Sequence, residues 1–229
     1  MAQSAAITPA SEVKVNTFLA KVYLLMFVGL AITGAVSLWV SENLQFQYRL
    51  FTEPWLGWGL LILQVIVVVF LSARIMTMSP GASALLFLFY AALVGLSISS
   101  IFLLYSQEQI YSVFFLTSGT FLISGLVGLL IKRDMTGAGN FLFMLLAGWA
   151  FAWFISWLFP LNNLNWALNF FGIALFVGLT AWDTQQLKKI GQQVGNHPAG
   201  GGLVVIGALK LYLDYINLFL LMLRASGRR

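Results

Sequence analysis

The sequence predicts an all-α membrane protein with seven transmembrane helices. Of its 229 residues, 60% are apolar and only 8% are charged, whereas soluble domains carry about 25% charged residues. The apolar residues are gathered in seven long blocks, and about 20 such residues cross the ~30 Å hydrocarbon core as a helix. Turn-forming residues and aromatic rings separate the blocks, as expected at the two surfaces of a bilayer.

The blocks divide the chain into a tail, a membrane domain and a second tail. Residues 1–17 form a predicted flexible tail, 18–224 the seven-helix domain, and 225–229 a short basic tail. Span 6 is the shortest. In order, the predicted spans are 18–40, 55–73, 82–105, 111–131, 141–159, 166–182 and 203–223.

Lysine and arginine in the connectors predict the orientation, because cytoplasmic loops are enriched in them. A cytoplasmic N-terminus leaves Arg49 as the basic residue of the outer loops between spans. Seven full crossings would place the arginine-rich tail outside, so either that tail breaks the rule or a late segment is re-entrant. The residues on the inner side would be Lys14, Lys21, Arg74, Lys132, Arg133, Lys188 and Lys189.

Small and hydroxyl side chains recur at helical spacing within several spans. Span 1 carries Gly29, Thr33 and Ser37, while Ser124 and Gly128 lie in span 4. Such residues let helices approach closely in lipid, where apolar burial does not drive association. We favour a packing role for them over a polar pore lining.

Two acidic residues are unexpected in or near the membrane. Asp214 lies in the middle of span 7 and Asp183 at the end of span 6. An ionisable group at mid-bilayer costs at least about 2.5–3.5 kcal/mol, so it should face the bundle interior or water and have a partner. On a helix, Gly207, Lys210, Asp214 and Asn217 share one face, which predicts that span 7 is central and shielded by other spans.

Sequence physics alone leaves two interpretations of Asp214 open and favours one for Asp183. Asp214 is either in a tolerated ion pair with Lys210, one turn earlier, or it is a titrating group that gates or binds cations. Asp183 is expected within reach of water, as an ordinary interfacial carboxylate.

The segments around these acids, Leu209–Phe219 and Val177–Lys188, resemble motifs of the Bax inhibitor-1 family. Leu209–Phe219 is similar to the family's C-terminal motif and Val177–Lys188 to its second motif, while Ala82–Ser100 and Lys132–Gly137 resemble the bacterial branch. The resemblance covers nearly the whole chain after the N-terminal tail. It implies a fold in which six helices enclose the seventh, and a bacterial inner-membrane location.

The resemblance also implies an activity, a calcium-permeable leak whose opening depends on pH. The family's hydrogen-bonded aspartate pair would correspond to Asp183 and Asp214, and Arg74 is the candidate for a latching arginine. Two close carboxylates share a proton and titrate as a unit. Their oxygens suit calcium, although two are too few for tight binding, so any calcium at Asp183 and Asp214 would be a permeant ion and not a cofactor.

Lys210 departs from the family pattern, which more often has an uncharged residue there. An ammonium one turn from Asp214 would favour the ionised carboxylate and repel a divalent cation, unless the side chain snorkels away. It is therefore a candidate modulating charge, with Asn217 as a polar neighbour on the same face.

Other functions are weighed against the leak. The chain could be a non-transporting factor that binds other membrane proteins, such as a quality-control protease. An enzyme is not expected, because there are no cysteines and no catalytic triad, metal spacing or phosphate loop; the glycines 200–202 suggest a hinge. His197 is interpreted as a solvated loop residue. The expected partners are lipid, cations and membrane proteins, not nucleic acid.

Overall fold

The computed structural model describes residues 9–131, 133–159, 164–194 and 200–227. Lys132, the 160–163 turn and His197 therefore lie outside the described residues. Within the described ranges the chain is helical throughout, apart from short turns and connectors. The helices are α1 (Pro9–Glu42), α2 (Leu44–Thr52), α3 (Pro54–Arg74), α4 (Pro80–Ile98), α5 (Ile101–Leu104), α6 (Gln107–Leu130), α7 (Thr136–Leu158), α8 (Leu164–Val194) and α9 (Gly200–Ala225).

Seven helical segments are long and apolar enough to cross a membrane, which confirms the predicted fold class. The segments are Lys14–Glu42, Pro54–Arg74, Pro80–Leu104, Gln107–Leu130, Gly137–Ser156, Asn165–Gln193 and Gly201–Ala225.

Local sequence sets several of their ends. The Ser79 hydroxyl caps α4 by accepting from the Ala82 N–H at 3.3 Å, with Pro80 at the first helical position. The hydroxyl satisfies one of the amide groups that the first turn of a helix leaves without a partner, and proline has no such amide to satisfy.

Two predicted boundaries differ from the structure. Residues 9–17 lie within α1, although the sequence places them in the tail before the first span. The sixth span was predicted to be the shortest and to end at Trp182, and this is wrong, because α8 continues to Val194. The error arises because the end of α8 is rich in polar residues that resemble a loop in composition but remain helical.

The short helix α2 was not predicted, since residues 41–54 look like a connector. It is held by Gln47, which is 2% exposed and donates from Nε2 to the Ser99 carbonyl at 2.9 Å. Ser99 follows the end of α4, where the third span is interrupted before α5. The interruption leaves a carbonyl without a helical partner, and Gln47 satisfies it.

The described chain forms two compact units. The first combines α1–α4 with Leu187–Lys210, and the second combines Ile101–Gln186 with the chain from Leu211 onward.

In the first unit, α1 and α4 pack at Thr33, one of the small residues that the sequence marked in span 1. The Thr33 hydroxyl donates to the Ala91 carbonyl at 2.8 Å, and a Cβ on Gly95 would stand 2.7 Å from the Thr33 carbonyl oxygen. Side-chain volume is therefore excluded at this crossing. The glycines at the start of α9 also pack closely, because a Cβ on Gly201 would collide with the Pro80 ring; this is a packing reason for a run that we interpreted as a hinge.

In the second unit, the start of α6 and the end of α9 meet. Gln109 donates from Nε2 to the Ser226 hydroxyl at 2.7 Å and to the Gly227 carbonyl at 2.7 Å. Span 4 begins at α6 and span 7 ends with α9, so complete crossings by spans 4–7 place these ends on one membrane face. The contact favours seven full crossings over a re-entrant late segment.

Candidate functional site

Asp183 lies inside α8, in a run of buried polar side chains. It is 7% exposed, and Thr180, Thr184 and Gln185 beside it are also buried. The expectation of an ordinary carboxylate within reach of water is therefore wrong. The polar stretch from Thr180 to Gln185 lies inside the protein, so the cost of desolvation applies to Asp183 as it does to a mid-span acid.

Asp214 is buried to the same extent, with 7% of its surface exposed. Burial in this part of α9 is not confined to one face, since Leu211, Tyr212, Tyr215 and Leu218 are buried as well. The enclosure of α9 by the other six spans stays a prediction.

In the second unit, α8 and α9 pack through a glycine and an asparagine of α8. A Cβ on Gly172 would stand 2.9 Å from Leu221 Cδ1. Asn169 donates from Nδ2 to the Leu221 carbonyl at 3.0 Å. We call this contact line the α8–α9 seam, defined by Asn169, Gly172 and Leu221.

Helix periodicity predicts that both acids lie along the continuation of this seam. Asp183 follows Gly172 by eleven residues, about three turns, and Asp214 precedes Leu221 by seven residues, about two turns. Each acid therefore shares a helix face with a seam residue. For antiparallel helices the four-residue difference corresponds to about 6 Å of rise, or roughly one turn.

The α6–α7 hairpin supports the Asp183 segment of α8. A Cβ on Gly128 of α6 would collide with the Ala181 backbone, and one on Gly139 of α7 would collide with the Trp182 indole. The Ser124 hydroxyl of α6 donates to the Val177 carbonyl at 2.5 Å. Helices α6 and α8 thus approach almost backbone to backbone next to Asp183.

Gln185 is a site residue that sequence reasoning missed. It is buried and uses its whole amide: Nε2 donates to the carbonyls of Ile131 at 3.1 Å and Arg133 at 3.0 Å, and Oε1 accepts from the Met135 N–H at 3.0 Å. These contacts fix the α6–α7 connector onto α8, two residues beyond Asp183. We call them the Gln185 clasp. A polar residue at a predicted span end gave no signal of this role.

The remaining predicted residues are not all buried with the acids. Asn217 is half-buried and donates to the Leu213 carbonyl of its own helix at 2.9 Å. Lys210 is exposed, and Arg74 is exposed at the end of α3, in the first unit. The predicted polar stripe of α9 therefore combines the buried Asp214 with an exposed cation.

The described residues contain no group of three or more histidine, cysteine or acidic side chains placed to hold a metal ion. Asp183 and Asp214 offer carboxylate oxygens, which are hard ligands that suit calcium, but a stable calcium site needs six to eight oxygens. Two carboxylates alone supply fewer oxygens than such a site needs.

Comparison with known sequences identifies the family. A sequence model of the family described as "Inhibitor of apoptosis-promoting Bax1" matches residues 15–229. The chain belongs to the Bax inhibitor-1 family.

Relatives in this family match over nearly their full length. The chain is 41% identical over 216 residues to the inner membrane protein YbhL of Escherichia coli, covering 93% of this chain and 92% of that protein. It is 35% identical to an uncharacterized protein of Borreliella burgdorferi, with 93% of each chain covered. It is 32% identical to an uncharacterized membrane protein of Streptococcus pyogenes, with 95% of each chain covered. Membership in the Bax inhibitor-1 family confirms the resemblance found in the sequence.

Proposed function

We propose that the protein is a pH-sensitive calcium or cation leak channel gated by Asp183 and Asp214. The observation that carries the proposal is the burial of both acids, on helix faces that periodicity predicts to continue the α8–α9 seam. Two buried carboxylates within about one turn of each other cannot both ionise cheaply. One shared proton is the stable arrangement, and the pair titrates as a unit.

The packing around the acids supplies a way to couple that proton to helix movement. A proton held between the acids ties α8 to α9, whereas full ionisation produces repulsion that separation or a bound cation relieves. The close α6–α8 contact at Gly128 and the Gln185 clasp hold α8 against the α6–α7 hairpin. The movable element is therefore α9 relative to α8. This assignment requires that the α8–α9 packing has two states, because a small change in charge can then produce a large helix movement.

Lys210 and Arg74 are proposed as modulating charges. Lys210 precedes Asp214 by one turn and is exposed, so its long stem allows the ammonium to sit away from the carboxylate. Arg74 is the family-based latch candidate. Neutralising either residue should change the pH response without abolishing flux, because neither is proposed to hold the shared proton.

We place this chain in the inner membrane of a bacterium, with its N-terminus in the cytoplasm. Its relative YbhL is named as an inner membrane protein, and the lysine and arginine distribution supports the orientation. The proposed ligands are lipid and permeant cations, with no cofactor. We propose transport and not catalysis, since no nucleophile, base or metal constellation was found in the sequence.

Calcium flux from reporter-loaded liposomes tests this proposal. Flux through the wild type should change between about pH 5 and pH 8, and Asp214→Asn should lose that change, because an amide cannot exchange the proton. Glu108→Gln is the matched control, since it removes one exposed acid at the start of α6. Flux equal to that of empty liposomes at every pH would contradict the proposal.

A second candidate is a non-transporting factor that binds other membrane proteins. The observation that favours it is α7, whose span is mostly exposed and presents Phe143, Met144 and Phe151 outward. Such a surface faces lipid or another membrane protein. Crosslinking from α7 at native expression that recovers no partner would count against this candidate.

A further inference from the structure

The short helix α2 has three distinct faces. Gln47 and Leu50 point inward and are buried, while Leu44, Tyr48 and Phe51 form an exposed apolar face, with Leu44 72% exposed. Gln45, Arg49 and Thr52 form a polar face by their spacing of four and three residues. This pattern is typical of a helix that lies in the membrane interface, with one side toward acyl chains and one toward water.

A cavity lies beside α2 within the first unit. Its volume is about 330 Å³, and Leu50, Phe51, Pro54, Trp58 and Leu61 form its apolar walls. Ser97 also lines it, but the Ser97 hydroxyl is already engaged, accepting from Gln64 Nε2 at 2.5 Å. The polar capacity of the lining is thus largely satisfied, and the cavity suits a hydrocarbon chain and not a polar solute.

One charged residue lines this cavity, and a second lies one helical turn before it in α2. Arg49 and Glu53 are one turn apart, linked by the backbone bond from the Glu53 N–H to the Arg49 carbonyl. Glu53 lines the cavity and accepts from Trp55 Nε1 at 2.7 Å. In the part of the chain that the structure describes, the Arg49 guanidinium makes no ion pair or hydrogen bond. A guanidinium binds phosphate by paired hydrogen bonds.

We propose that α2 and this cavity bind one phospholipid, with an acyl chain in the cavity and the phosphate on Arg49. A membrane-spanning protein always meets this ligand, and Tyr48, Trp55 and Trp58 are the rings that favour headgroup level. Glu53 selects a headgroup that carries an ammonium, such as phosphatidylethanolamine, because its carboxylate would repel a purely anionic headgroup. The site is independent of the acids of the α8–α9 seam.

Two glycines of α3 provide a matched pair of variants. Gly57 lines the cavity, and a Cβ there would meet only the Leu50 carbonyl oxygen, at 3.9 Å, so Gly57→Leu fills the cavity without a collision at the backbone. Gly59 has nothing within 4 Å of an added Cβ and does not line the cavity. Gly59→Leu therefore makes the same change in helix propensity outside the proposed site.

Native mass spectrometry of the full chain in detergent, titrated with phosphatidylethanolamine, tests the proposal. The wild type and Gly59→Leu should each hold one lipid, and Gly57→Leu should weaken that binding by about tenfold or more. Arg49→Gln should also weaken it by about tenfold, and diacylglycerol, which lacks phosphate, should bind the wild type about tenfold more weakly.

Each arm has an outcome that overturns part of the proposal. Equal binding by Gly57→Leu and Gly59→Leu would exclude the cavity as the acyl-chain site. Unchanged binding by Arg49→Gln, or diacylglycerol binding as tightly as the phospholipid, would exclude the phosphate contact. Phosphatidylglycerol binding as tightly as phosphatidylethanolamine would exclude the role of Glu53. If Gly57→Leu fails to fold, the Arg49→Gln and diacylglycerol results decide the proposal.

Discussion

Gly172 of α8 lies against Leu221 of α9, with 2.9 Å between Leu221 Cδ1 and the point where a Cβ on the glycine would stand. Helix periodicity carries this contact to Asp183, eleven residues beyond the glycine, and to Asp214, seven residues before the leucine. If the two helices stay in register beyond this contact, the two buried acids lie along the same helix interface, which is the prediction tested below.

The close approach of α6 to α8 predicts that adding a single methyl group at Gly128 destabilises the protein. Gly128→Ala would place a Cβ against the Ala181 backbone, which cannot move aside as a side-chain tip could. We expect the free energy of unfolding to fall by about 1–3 kcal/mol. Gly119→Ala, on the same helix with nothing within 4 Å of its Cβ, should be neutral or up to about 1 kcal/mol stabilising.

Thermal unfolding of the purified proteins in detergent measures this difference. A Gly128→Ala midpoint equal to that of Gly119→Ala would show that α6 and α8 are not in close contact beside Asp183.

The Gln185 clasp predicts a local change in backbone protection. Gln185→Ala removes three hydrogen bonds to the α6–α7 connector, so the Met135 N–H should exchange faster with solvent and the protein should lose about 1–3 kcal/mol. Gln192→Ala, at an exposed position of the same helix, should change stability by less than about 0.5 kcal/mol. Hydrogen exchange at Met135 checks the clasp directly, and unchanged exchange in Gln185→Ala would contradict it.

The contact of Gln109 with the end of α9 predicts the membrane side of the C-terminus. The natural sequence has no cysteine, so single cysteines report their own accessibility. Glu108→Cys and Gly227→Cys should both react with an impermeant maleimide added outside intact cells, while Arg133→Cys should react only after permeabilisation. Gly227→Cys reacting together with Arg133→Cys would instead support a re-entrant late segment.

The number of spans could be predicted from the sequence because each depends on one local property, an apolar stretch of sufficient length. The candidate acids were also predictable, since a charge in an apolar helix is locally visible as an exception. The burial of Asp183 was not, because it depends on the α6–α7 hairpin covering the polar stretch of α8 around that residue.

Short polar and amphipathic features were missed for a similar reason. The helix α2 is brief, and its inward contact, from Gln47 to Ser99, joins residues 52 positions apart in sequence. Gln185 likewise acts on carbonyls more than 50 positions away. Periodicity within one segment carries no information about such partners.

The pH dependence of calcium flux in a double-mutant cycle of Asp183→Asn and Asp214→Asn tests the coupled acid pair most directly. If the acids share one proton, each single variant should lose the pH response. The double variant should then behave like the single variants, because the first substitution has already abolished the shared proton. Two results would contradict a shared proton: single variants whose calcium flux changes with pH as in the wild type, or a double variant that loses the sum of what the two single variants lose.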